Sequence, residues 1–192
     1  MKDPDSIRQR SSNLISLLMI IVVSVLGLLY VATTVSTSDF LWFVPTFNER
    51  ANAIVVHCAG EVMTYAPGSA EFEALNASVN ADLSGSKSYP EAGLSEQTQE
   101  DYWKQHLVLE VIYSRPVRLH VPFRYGVFDT LIYPVTGTFS QEGYIFGRRG
   151  ETVLTGVDIG NGERSVAQTL KDLGYTWEGY RGCARPHPRP LS

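Results

Sequence analysis

The chain has 192 residues, with 16 Lys+Arg against 20 Asp+Glu and two cysteines. A net charge of −4 with 44% hydrophobic residues excludes a polyelectrolyte-like disordered chain and argues against nucleic acid as the main partner.

Residues 14 to 35, LISLLMIIVVSVLGLLYVATTV, carry no charged side chain. At about 1.5 Å per helical residue this run reaches roughly 33 Å, enough to cross a bilayer core. A cleaved signal peptide fits less well, because its apolar core is shorter and ends in a small-x-small site. Here Thr33, Thr34, Ser36, Thr37 and Ser38 follow without an Ala-x-Ala pattern. Lys2, Arg8 and Arg10 precede the run, and the next basic residue is Arg50. The positive-inside rule therefore predicts residues 1 to 13 as a cytoplasmic stub and the remainder outside, in a single-pass protein of the cell membrane. Residues 36 to 51 form a juxtamembrane connection. Its aromatic residues Phe40, Trp42 and Phe43 suit either the outer headgroup level or the underside of a domain.

Past the anchor, residues 52 to 178 are predicted to form one extracytoplasmic α+β domain. Without the N-terminal stub 13 basic and 18 acidic residues remain. Residues 52 to 65 read as one strand, bulged at Gly60. Ser69 is the predicted N-cap of a helix whose apolar face is Phe72, Leu75, Val79 and Leu83. Ser95 opens a second helix, which runs into a strand over 107 to 113. Ser114-Arg115-Pro116 reads as a turn, and 117 to 121 as the return strand of a hairpin, with Val117, Leu119 and Val121 inward and Arg118 and His120 outward. Strands follow over 127 to 135, 143 to 146 and 152 to 157, separated by turn-like segments that include GRRGE. A last helix spans 163 to 173 and ends at Gly174. Residues 179 to 192, basic and Pro-rich, read as a flexible tail. The strand run between 107 and 157 lacks the alternation of a parallel α/β fold, so the sheet is predicted to be mainly antiparallel, with two or three helices.

Catalytic signatures are weak. His57, His106, His120 and His187 lack HxxxH or HExxH spacing, and no CxxC occurs, so no metal or other cofactor is predicted. GxSxG and SxxK are missing, and His57 adjoins Cys58, which on a strand sends the two side chains to opposite faces. Cys58 and Cys183 can pair outside the cytoplasm, or Cys58 can be a small buried thiol; spacing alone leaves both open. The one suggestive constellation is Glu110 opposite Arg118 and His120 across the predicted hairpin, extended by Arg124. A cross-strand ion pair explains it most simply. A face for an anion or a protein partner is the functional alternative. The expectation is a membrane-tethered, non-enzymatic domain, held to the lipid bilayer by residues 14 to 35. It would bind another membrane or extracytoplasmic protein or support a membrane complex; the rival is an anchored hydrolase with a dispersed site.

Overall fold

A computed structural model describes residues 4–89, 92–160, 164–178 and 181–184. Its first helix, α1 (Pro4–Thr37), contains one segment, Leu14–Thr37, long and apolar enough to cross a membrane. The end of α1 has a local cause. Thr37 Oγ1 donates to the Thr33 carbonyl at 2.9 Å, Ser38 turns left-handed at φ 55°, and Asp39 Oδ1 accepts from Leu41 N at 2.9 Å. The chain divides into two compact units: residues 1–42 with Pro122–Arg124, and the remainder.

The second unit is an α+β domain. Its strands are β1 (Ala53–Cys58), β2 (Glu61–Tyr65), β3 (Leu107–Val117), β4 (Phe128–Pro134), β5 (Tyr144–Arg149) and β6 (Thr152–Asp158). They form one antiparallel sheet in the order β2-β1-β3-β4-β5-β6. The predicted strand over 52 to 65 is thus a hairpin. Ala59 and Gly60 form its two-residue turn, both at positive φ (50° and 88°), as a primed turn requires. Gly60 is suited to this because it has no Cβ to oppose the left-handed conformation.

The predicted hairpin over 107 to 121 does not form. β3 continues through Ser114, Arg115 and Pro116 to Val117, which pairs with Phe128 after a shift in register. Pro116 falls in this irregular stretch, where its missing N–H breaks no regular ladder bond. The burial alternation at 117 to 121 holds, since Val117, Leu119 and Val121 are buried while Arg118 and His120 are partly exposed.

Among the described residues the domain has four more helices: α2 (Ala70–Asp82), α3 (Glu96–Gln105), α4 (Thr138–Gln141) and α5 (Ser165–Asp172), the last packed against α2. Ser69 and Ser95 cap α2 and α3, accepting from Phe72 N and Thr98 N. One sheet face carries Ile54, Val56, Leu109, Val111, Leu131 and Tyr133, all at most 0% exposed, and buries them with Phe72, Leu75 and Val79 of α2. Asp82, ending α2, joins three elements. It accepts from Tyr133 Oη at 2.6 Å and from Ser165 N and Val166 N at the start of α5. The other face packs Val108, Ile132 and Phe146 under Tyr102 and Trp103 of α3 and Phe139 of α4.

The short helix α4 lies in a segment that reads as a turn by composition. Gly137 precedes it at φ 89°, where a Cβ would meet Tyr102 Oη at 2.7 Å. At the C-terminal end, β7 (Thr176–Glu178) pairs with β8 (Arg181–Ala184). Residues 181–184 of the predicted flexible tail are therefore a strand, and the rest of that tail lies outside the described residues, as does His187. Cys183 of β8 is bonded to Cys58 of β1, with Cα atoms 5.3 Å apart. Among the described residues no cysteine is free.

Candidate functional site

Glu110 sits near the middle of β3, flanked by β1 and β4. Alternation places it on the face shared with Val108 and Ile112, away from the α2 core. Opposite it stand Val55 on β1 and Ile132 on β4. His57 is two residues from Val55, so it reaches Glu110 diagonally, and Nε2 lies 3.1 Å from Glu110 Oε2. On the other side Arg148 of β5 pairs with Thr130 of β4, and its Nη2 donates to Glu110 Oε1 across that strand. One carboxylate is thereby held by an imidazole and a guanidinium from different strands. The side chains of Glu110, His57 and Arg148 are 10%, 13% and 21% exposed.

Trp103 completes the cluster. Its ring stacks on His57 with centroids 5.4 Å apart and planes at 23°. The β1–β2 turn fixes this placement, because Ala59 N and Gly60 N donate to His106 and Trp103 carbonyls at the C-terminal end of α3. Two buried donors here lack hydrogen-bond partners among the described residues, Trp103 Nε1 and Arg148 Nε.

Burial by itself raises the pKa of Glu110. The His57 hydrogen bond and the charge of Arg148 outweigh it and leave the carboxyl below its ordinary range. Glu110 is thus ionised at neutral pH, so His57 must present Nε2–H to it as a donor. That arrangement orients an imidazole with its Nδ1 directed elsewhere, and it holds a guanidinium at a fixed point on the sheet face. Among the described residues no group of three or more His, Cys, Asp or Glu is placed to hold a metal ion.

The structure separates the residues that the sequence grouped. Arg118 lies eight residues beyond Glu110 in the same chain direction, up to about 26 Å along an extended strand, so it is not a cross-strand neighbour. His120 follows it, partly exposed, and Arg124 is exposed and belongs to the first compact unit. Glu110 is the only one of the four in this cluster. Sequence reasoning missed His57, Trp103 and Arg148. GRRGE reads as a turn, but β5 runs on to Arg149, and only the strand order β3-β4-β5 brings Arg148 beside Glu110.

No protein-family model, curated protein or solved structure matches this chain.

Proposed function

We propose that this chain is a membrane-anchored extracytoplasmic domain that binds another protein of its membrane or compartment. The Cys58–Cys183 bond, in the domain that follows the apolar helix, is the observation that carries this reading. Structural disulfides persist in oxidising compartments, and Lys2, Arg8 and Arg10 before the apolar run favour a cytoplasmic N-terminus. Residues 38–52 connect α1 to β1 and tether the domain within about 50 Å of the helix end. Such a tether favours partners in or near the same membrane.

The proposed binding face is the β2–β1 edge of the sheet, beside the buried Glu110 cluster. Val62 and Thr64 of β2 are exposed there, Val62 by 57%, while Val55 and Ile112 are half-buried. His57 and Arg148 give this apolar strip a fixed polar edge. A protein partner with a complementary apolar ridge would cover the strip and meet that edge.

Photocrosslinking in native membranes tests the reading. A photoreactive residue at position 64 should give a discrete product that Val62→Glu abolishes, while one at Glu100, exposed on α3, should not. No product at 64, or the same products from both positions, would overturn the binding face. The chain should also stay in the pellet after alkaline carbonate washing; a soluble product beginning near Thr37 would overturn the anchor. An anchored hydrolase is the second reading, favoured by the His57–Glu110 hydrogen bond, the pairing that orients a general base. Under it His57→Gln removes turnover and leaves the crosslink at 64 intact.

A further inference from the structure

The chain does not simply leave α1 at its end. Tyr30 Oη donates to the Phe40 carbonyl at 3.2 Å, although Tyr30 lies about 10 Å before Thr37 along the helix. Past the left-handed turn at Ser38, residues 39 and 40 therefore run back beside the last turns of α1. Between the two lies a groove of about 380 Å³, lined by Tyr30, Val31, Thr34, Val35, Ser38 and Phe40. The five helical and turn positions share one face at the spacing of successive turns. Its apolar walls are open, with Phe40 72%, Val35 74% and Val31 57% exposed.

Exposed apolar surface of this kind marks a contact site, and its depth selects the occupant. On the membrane anchor proposed above, residues 14–35 cross the hydrocarbon. Tyr30 and Val31 then lie within about 8 Å of its extracytoplasmic limit, and Ser38 lies beyond it. The groove runs from acyl-chain depth to headgroup level, as a phospholipid does.

The headgroup end has a cation that the neighbouring sequence lacks. No basic residue occurs between Arg10 and Arg50, yet Pro122–Arg124 belong to the same compact unit as α1. Burial in that unit begins at Thr33 and Thr34, after residues 14–32, which are all exposed. That places Pro122–Arg124 at the outer end of the helix. Arg124 is itself exposed, whereas the acid of this region, Asp39, is 7% exposed and accepts from Leu41 N. A guanidinium at that level suits a phosphodiester.

We propose that this groove holds one acyl chain of a phospholipid of the extracytoplasmic leaflet, whose phosphate is bound by Arg124. The site rests on the anchor reading and is independent of the protein-binding face on the sheet.

The test places the full chain in nanodiscs of mixed phosphatidylcholine and phosphatidylglycerol. A chain that stays out of the discs would overturn the anchor, and this site with it. Native mass spectrometry of the chain released from the discs should show one retained phospholipid, enriched about fivefold in phosphatidylglycerol. Phe40→Ala removes one wall, and Val31→Trp fills the groove from the helix side; each should lose the retained lipid. Should one of the two fail to enter the discs, the other decides. Arg124→Gln should keep a lipid but lose the enrichment. Four results would overturn the site and leave the anchor standing: entry into the discs without a retained lipid, retention unchanged by a groove substitution, enrichment unchanged in Arg124→Gln, or a dimer that carries no lipid.

Discussion

Glu110 shows how a charge becomes tolerable inside a sheet. The residue is 8% exposed, where an unpaired carboxylate would be costly. His57 and Arg148 supply a hydrogen bond each, from strands on either side. Glu110→Gln keeps the shape but removes the charge that both partners face. The expected loss is about 1–3 kcal/mol, between the limits for exposed and fully buried pairs, read as a lower melting temperature. The pH dependence has a definite sign. Because the folded-state pKa is depressed below the ordinary 4.5, the stabilisation is full above that value and is lost as pH falls through the lower folded-state pKa. The gap between wild type and Glu110→Gln should therefore close on acidification below about pH 4.5. A gap that stays constant down to pH 2 would show that Glu110 is not held ionised by its partners. Glu110 was legible as a polar residue in an apolar strand. Its partners were not, because they lie 53 and 38 residues away in sequence.

Secondary-structure elements follow their local signals where the chemistry is local. The α2 cap at Ser69 and the face of Phe72, Leu75, Val79 and Leu83 formed as the helical period demands, and each of these four apolar residues is buried. The α3 cap at Ser95 behaved likewise. Turns were harder to read. Ala59-Gly60 is a weak turn signal, because alanine is unfavourable at the left-handed first position; Asn-Gly would have declared it. Ala59→Asn should accordingly stabilise the chain by about 0.5–1 kcal/mol, seen as a raised melting temperature. A neutral or destabilising result would mean that the contact of Ala59 N with the His106 carbonyl, 3.4 Å, dictates the turn more than residue preference does. At Ser114-Arg115-Pro116 the reverse happened. A strong turn composition was absorbed into β3 because Val117 gains burial by pairing with Phe128.

At the scale of the whole molecule, the Cys58–Cys183 bond spans 125 residues and ties the terminal β7–β8 hairpin to β1. On the chain-entropy view, a loop of that length stabilises the folded state by about 4–5 kcal/mol. Replacing both cysteines by alanine should lower the melting temperature markedly and expose the β7–β8 segment to protease first. A variant as stable and as protease-resistant as wild type would show that packing alone holds the C-terminal strands. The apolar helix, the helix caps and the α+β class were determined by the sequence itself, because each rests on periodicity, hydropathy or a cap within a few residues. The strand order, the partners of Glu110 and the bonding of Cys58 to Cys183 were decided only by the tertiary structure. Each joins residues far apart in the chain, and such pairing depends on which strands become neighbours in the sheet, a choice that no local pattern encodes.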